Sequence, residues 1–406
     1  MLGFAPASLP MHAEAAGRRV SERAALRVAM VSETYPPEIN GVALTVAALA
    51  DGLVELGHEV SVIRPRRSRT DQPASRPRYR ELLVPGQALP RYRELRFGWP
   101  VLWRIRRDWL AARPNAVYIA TEGPLGWAAM WAARSLGIPV ASGFHTRFDD
   151  YLAHYALGLL RAPAFAYLRA FHNRAQATLV PTEELRSFLA GHGFRHPRIL
   201  SRGVNAAAFD PARRDPQLRR QWGLDDADPA VLFVGRIAPE KNLALVVEAY
   251  QRIRQRHPRA RLIWVGDGPS RAALAEAHPE HVHCGMQRGA ELGRHYASAD
   301  LFLFPSLTET FGNVTLEAMA SGLVTLAYAY GAAGQHLCHG ENGYTATFGS
   351  HAAYLASLEQ MLDEHARWPA IRLAARRSAE ALAPARVSES FASLLAGLDP
   401  LKERLA

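Results

Sequence analysis

Three short stretches carry residue types suited to an anionic, hydroxyl-rich ligand. Residues 304–322 read Phe-Pro-Ser-Leu-Thr-Glu-Thr-Phe-Gly-Asn-Val-Thr-Leu-Glu-Ala-Met-Ala-Ser-Gly, with Glu309 ahead of an expected short helix and Glu317 about one turn inside it. A carboxylate accepts two hydroxyl hydrogen bonds, so one could hold sugar-type hydroxyls and the other a ribose diol. Gly312 and Asn313 offer a flexible turn and a helix cap, and Gly322 a stop. Two Glu eight apart mean little in a chain with 24 of them; the surrounding string carries the information. Residues 233–242, Phe-Val-Gly-Arg-Ile-Ala-Pro-Glu-Lys-Asn, place Arg236 and Lys241 in a strand-to-helix turn, where two cations can flank a diphosphate. Their plain alternative is solvated loop charge. Lys occurs only at 241 and 402, while the other 46 basic residues are Arg, and Lys gives a compact point charge rather than a planar fork. The third stretch, Ser-Glu-Thr-Tyr-Pro-Pro-Glu-Ile-Asn-Gly-Val at 32–42, sets Gly41 just before a helix. Helix-end amides there can receive a phosphate and the missing Cβ permits close approach, although packing explains such a glycine about as well. The stretch lacks the G-x-G-x-x-G spacing of a dinucleotide fold.

The elements that must position these residues read as βα units occurring in two series. Strands are expected at 27–32, 59–63, 116–120, 139–142, 177–180 and 198–201, then at 230–234, 261–265, 281–284, 301–304 and 323–327. Short apolar strands alternating with helices imply parallel sheets covered on both faces, with ligands beyond the strands' carboxyl ends. The fold class is therefore α/β, as two Rossmann-like doubly wound domains. Residues 1–26 read as a flexible leader, 27–203 as the first domain, 204–229 as a polar linker, 230–385 as the second domain, and 386–406 as a helix returning toward the first.

The bulk properties narrow the class. The chain has 406 residues, 49% hydrophobic and 21% charged, a globular composition too long for one core. Two cysteines, Cys284 and Cys338, give no disulfide framework or four-ligand zinc set and suit a reducing cytoplasm. No run of about 18 apolar residues suggests a spanning helix. The net charge of +10 is uneven: up to Gly203 there are 27 Arg and no Lys against 16 carboxylates. Such a domain could meet an anionic membrane or substrate, or simply wear a solvated Arg-rich face. Nucleic acid is disfavoured, since neither zinc-finger spacing nor an aromatic RNA-binding strand motif occurs. Asp226-Ala-Asp228 copies a metal-binding string but falls in the polar linker, and His336, Cys338 and His339 lack an evident fourth ligand; neither reads as a metal site.

Taken together, Glu309-x7-Glu317, Gly235-Arg236-x4-Lys241 and Asn40-Gly41-Val42 resemble the retaining family 4 glycosyltransferases of GT-B fold, over about residues 27–380. Gly41-Val42 and Phe144-His145-Thr146 look closest to the branch with bacterial mannosyltransferases and sulfoquinovosyl-lipid synthases. The resemblance implies two domains facing a cleft and metal-independent, retaining transfer of a mannose- or glucose-like hexose. The donor would be a GDP- or UDP-linked sugar, with no other cofactor, and the acceptor a lipid or glycan. It implies that Glu309 binds the donor's sugar hydroxyls with the amides of Phe311 and Gly312, and that Glu317 holds the ribose. Arg236, Lys241 and the Gly41 amide would neutralise the diphosphate, and His145 would lie beside the transferred sugar. By chemistry alone a lone His after a strand reads as structural. The base is expected near 285–288 and Val314. The stretch 148–174, mixing Tyr151, Tyr155, Phe165, Tyr167 and Phe171 with Arg147, Arg161, Arg169 and Arg174, reads as a pair of amphipathic core helices or as a membrane-resting surface on the inner face of the plasma membrane. Other readings are a basic nucleotide- or membrane-binding module without catalysis, and a GT-B nucleotide-sugar epimerase or glycogen-type synthase; the last usually opens with Lys-x-Gly-Gly, where this chain has Glu38-Ile39-Asn40-Gly41.

Overall fold

The computed structural model describes residues 25–398, apart from 39, 90–91 and 146–160. Most of the leader, the first half of the 148–174 stretch and the last eight residues therefore lie outside the described residues. In chain order the strands are β1 (Arg27–Val31), β2 (Glu59–Pro65), β3 (Ser75–Arg76), β4 (Tyr79–Val84), β5 (Gly86–Leu89), β6 (Tyr92–Gly98), β7 (Ala116–Ile119), β8 (Val140–Gly143), β9 (Ala177–Val180) and β10 (Pro197–Ile199). The second series is β11 (Ala230–Val234), β12 (Arg261–Val265), β13 (Val282–Gly285), β14 (Leu301–Phe304), β15 (Val324–Tyr328) and β16 (Tyr344–Ala346).

These strands build two sheets and a small β5–β6 hairpin. The first sheet runs β10-β9-β8-β7-β1-β2-β4-β3 and the second β13-β12-β11-β14-β15-β16. Pairing is parallel throughout both, except that β3 runs antiparallel to β4. Central strands are apolar on both faces because helices cover both. In β1, Val28 and Met30 pack under helix α1 (Gly41–Glu55), whereas Ala29 and Val31 pack with helices α2 (Leu102–Ala111) and α3 (Pro124–Ser135). The order of strands reverses at β1 in the first sheet and at β11 in the second. Each reversal sends neighbouring connections to opposite faces and opens a crevice beyond the carboxyl ends, and the turns after β11 and β14 meet in the second of them.

The stretch expected as a linker is built into the second domain. Its helix Pro216–Gln221 buries Leu218, with Trp222 and Leu224 following into the same core. Buried Arg219 donates to Asp300 Oδ2 at 2.9 Å, to the Ser298 carbonyl at 2.8 Å and to the Asp228 carbonyl at 2.6 Å. A polar composition hid a few buried side chains that pin the segment down. The true crossing between domains is short: Val204 N donates to the Leu382 carbonyl at 3.0 Å, so the outgoing and returning strands of the crossover lie side by side. A Cβ on Gly203 would stand 2.8 Å from that carbonyl, which makes glycine the residue that lets them touch. Helix Pro384–Ala396 then packs on α1, with Phe391 edge-on to Tyr118 at 5.0 Å and in one core with Val28 and Met30.

Candidate functional site

At the second reversal, β11 leads into Gly235-Arg236 and the turn 239–241, while β14 leads into 305–312. The turns are bonded, Leu307 N donating to the Glu240 carbonyl at 3.0 Å. Lys241 Nζ there donates to Glu309 Oε1 at 2.5 Å, to the Thr308 carbonyl at 3.1 Å and to Ser306 Oγ at 3.3 Å. An ammonium has three N–H bonds, and three acceptors surround this one. Ser306 Oγ also donates to Glu309 Oε1 at 3.0 Å, and Tyr330 Oη to the Glu309 carbonyl at 2.9 Å, so both backbone and carboxylate of Glu309 are held. Lys241 and Glu309 side chains are 13% and 18% exposed, which leaves them accessible but largely desolvated. Arg236 is 47% exposed and 3.5 Å from Glu240, a weak pair on the rim.

The helix anticipated after Phe311 spans Asn313–Ala320. Its cap is Gly312, at φ +89°, and Asn313 is the first helical residue, so Asn313 does not cap it. No side chain caps this end. Left-handed backbone at 312 suits glycine, and it turns the chain so that Phe311 buries in the core while Glu309 stays on the crevice side. Glu317 sits one turn in and accepts from buried Tyr296 Oη at 2.9 Å, whose ring comes from helix Gly289–Ala297. Burial raises the Glu317 carboxyl to about 7, against a lowering by the Tyr296 hydrogen bond. Tyr296 Oη also reaches the carbonyl of Val314, one of the residues expected near the base, at 3.4 Å.

The first domain contributes its own helix start. Gly41 is the first residue of α1, not the residue before it; Asn40 is the cap, its Oδ1 accepting from Ala43 N at 2.9 Å. Gly41 is exposed, and a Cβ there would meet nothing within 4 Å, so the space in front of this helix end is open. Asn40 is steadied by Thr34 Oγ1 at 2.6 Å, and Thr34 and Arg67 both bond Glu38.

His145 follows β8, and Arg202, which sequence reasoning did not single out, follows β10. His145 Nε2 is 2.7 Å from Tyr118 Oη and its Nδ1 is 3.4 Å from Arg202 Nη2. Arginine only donates, so Nδ1 accepts and Nε2 carries the proton that goes to Tyr118. Burial and then the Arg202 charge push His145 down to about 3, so it is a neutral imidazole at physiological pH. Arg202 Nη1 reaches Asn313 Oδ1 at 3.5 Å and its guanidinium lies 5.5 Å over the Phe311 ring. One arginine thus touches the His of the first domain and the helix start of the second. Its trace in the sequence is faint: Arg202-Gly203 lies just past β10, immediately before the crossing.

Helix Arg161–His172, the described part of the 148–174 stretch, is a core helix: Phe171 and Leu168 are buried, and Phe165 packs against Phe188 and Phe194. The Asp-x-Asp string is a turn at the amino end of β11, across the sheet from the crevice, with Asp228 bonded to Arg259 and to the Asp225 amide. Among the described residues, His278, Glu280 and His281 form the cluster close enough for a metal. Trp264 Nε1 donates to His281 Nδ1 at 3.2 Å, which leaves the proton of neutral His281 on the Nε2 that faces Glu280 and makes it a poor ligand.

Comparison with known proteins agrees with this geometry. Residues 39–208 match the family model described as Glycosyltransferase Family 4 and residues 214–378 match Glycosyl transferases group 1. The chain is 37% identical over 309 residues to a GDP-mannose-dependent alpha-mannosyltransferase of Mycolicibacterium smegmatis, covering 74% of this chain and 79% of that one. It is 27% identical to an alpha-monoglucosyldiacylglycerol synthase of Streptococcus pneumoniae, covering 75% and 71%. Sucrose-phosphate synthase of Thermosynechococcus elongatus superposes with a TM-score of 0.73 at 19% identity, over 91% of this chain and 98% of that one. With two parallel sheets meeting at a crevice and both halves matched, the chain belongs to glycosyltransferase family 4 and is a glycosyltransferase of GT-B fold.

Proposed function

We propose that this protein transfers a mannose-like hexose from a GDP-linked donor to a lipid acceptor, without a metal and with retention of anomeric configuration. The observation that carries the reading is the Lys241–Glu309 pair at 2.5 Å beside the uncapped start of helix Asn313–Ala320. A diphosphate at that helix end would gain the amide dipoles and the Arg236 and Lys241 charges, the task that a bound metal performs elsewhere. Glu309 would then accept from sugar hydroxyls and Glu317 from the ribose diol, while Gly41 leaves room for the phosphates on the opposite wall. The neutral imidazole of His145 would lie beside the sugar. In the transfer, the anomeric C–O bond breaks with its electron pair going to the diphosphate. The acceptor oxygen bonds to the same face of the anomeric carbon, and its proton passes to the leaving phosphate. The mannosyltransferase relative supports the donor, and the diacylglycerol synthase relative supports the acceptor class.

The first domain also carries a face suited to anionic lipid on the inner surface of the plasma membrane. Trp103 and Leu110 are 74% and 63% exposed on the outer side of α2, whose inner side buries Ile105 and Trp109. Exposed Trp99 and Trp131 and the arginines 104, 107, 134 and 174 accompany them, and Arg174 lies 5.9 Å over Trp131. Indole rings at the headgroup level with arginines at the phosphates are the composition of an interfacial surface. The test is a thermal-shift panel of GDP- and UDP-linked hexoses, followed by NMR of the product. No stabilisation by any nucleotide sugar overturns the donor reading, and an inverted linkage overturns retention.

A further inference from the structure

Arg202 is a partly buried guanidinium in the crevice with little to hold it. Its two hydrogen bonds, to His145 Nδ1 and Asn313 Oδ1, measure 3.4 and 3.5 Å, both beyond the usual range for N–H donors. Among the described residues, none of the ion pairs includes it, whereas Lys241 and Arg236 in the same crevice each have a carboxylate. Five N–H donors in a planar fork are thus met by one aromatic face and two long contacts. Desolvation draws the group down to about 10, and it stays charged at neutral pH. The Glu309 carboxylate offsets part of this loss without bonding to the group, and a charge moved out of water without a directly bonded partner is unfavourable, so its retention in the crevice calls for an anion that arrives with the substrate.

Its place in the chain adds the second observation. Arg202 lies beside Gly203 and Val204, the crossover residues in contact with the returning chain at 382–384. Being fixed next to the crossover, its head can reach a ligand against the uncapped helix start at Asn313.

We propose that Arg202 forms a hinge-borne oxyanion subsite for the donor, separate from the Arg236–Lys241 turn. This rests on the nucleotide-sugar reading above. The oxyanion could come from the diphosphate or from an acid group on the transferred sugar, and the measurements distinguish them. Isothermal titration of the full chain would use GDP and UDP against GMP and UMP, and UDP-glucuronic acid against UDP-glucose, with wild type, Arg202→Gln and Arg202→Lys. Loss of one charge-assisted contact lowers affinity about 10- to 100-fold. A drop of that size in Arg202→Gln for the diphosphates, with monophosphate binding unchanged, supports the diphosphate as the source. A drop for UDP-glucuronic acid alone supports the acid sugar. Partial recovery in Arg202→Lys is expected in either case, since a point charge replaces the fork. Equal affinities of wild type and both variants for every ligand overturn the subsite. So does an equal loss for monophosphates and diphosphates, which marks a structural role; if Arg202→Gln fails to fold, the Lys variant decides. Wild type that binds no nucleotide overturns the donor reading itself, and the subsite with it.

Discussion

Glu317 offers the sharpest test of the donor site, because its environment sets a measurable charge state. Its carboxyl is raised from 4.5 to about 7 by burial beside Tyr296. Below pH 4.5 it is protonated in both the folded and unfolded chain and costs nothing. Between 4.5 and 7 the unfolded chain loses its proton while the folded one keeps it, so stability falls as pH rises, and above about 7 the penalty is complete. The difference in pKa corresponds to about 3 kcal/mol. Glu317→Gln removes the ionisation and keeps an oxygen that can accept from Tyr296 Oη. Relative to wild type, the variant is therefore expected to gain about 3 kcal/mol between pH 4 and pH 8. Hydrogen exchange of the 301–320 segment, compared between variant and wild type at each pH, reads this locally and does not require the two domains to unfold as one. Donor binding supplies the complementary reading. A ribose diol donating to Glu317 favours its ionised form, so binding near pH 6 should release close to one proton, and binding near pH 9 none. Titration in buffers of different ionisation heat measures the release, which should vanish in Glu317→Gln. A stability difference independent of pH, or equal proton release by both proteins, refutes the reasoning.

Three further outcomes are expected. Lys241→Ala should cut transfer at least about 100-fold, and Lys241→Arg nearly as much, because a planar fork cannot meet three acceptors arranged round an ammonium; initial rates with circular dichroism as a folding control check both. Gly312→Ala meets no steric obstacle, its nearest neighbour being Glu309 Cγ at 3.5 Å, but it forces an L-residue to φ +89°. It should cost about 1–2 kcal/mol in the second domain and raise the donor KM, as read by denaturant unfolding and kinetics. The double variant Trp103→Ala/Leu110→Ala should lose sedimentation with anionic vesicles while its rate on a short-chain soluble acceptor holds; undiminished vesicle binding rejects the α2 face.

Central strands were legible in the sequence because burial on both faces makes a strand apolar throughout, and β1, β9, β11, β12 and β14 stand where the apolar runs stand. The edges were not. β4 reads Tyr-Arg-Glu-Leu-Leu-Val, with half-buried polar residues that suit a sheet margin and break the apolar run, and β16 has three residues. The segment before β11 misled because Leu218, Trp222 and Leu224 are scattered among charges, and fully buried Arg219 looks in sequence like any surface arginine. At the site, Glu309, Glu317, Arg236 and Lys241 belong to local strings and could be picked out. Arg202 could not be, since in a chain with 46 arginines only its position at the crossing distinguishes it.

The same scarcity explains Lys241. A chain that meets nearly every need for positive charge with arginine has a lysine where the turns after β11 and β14 converge, 68 residues apart in sequence. That convergence follows from topology: β14 pairs with β11 at the point where strand order reverses, so the two turns share one crevice. The pocket they form offers a carbonyl, a hydroxyl and a carboxylate around a single point, a shape that fits an ammonium and excludes a guanidinium. Arg202, approaching from the hinge with no such pocket, retains its fork for a ligand. The two cations are therefore not interchangeable copies of positive charge. Lys241 is fixed beside Glu309, where its charge serves that carboxylate and the proposed diphosphate alike, while Arg202 has no ion-pair partner among the described residues.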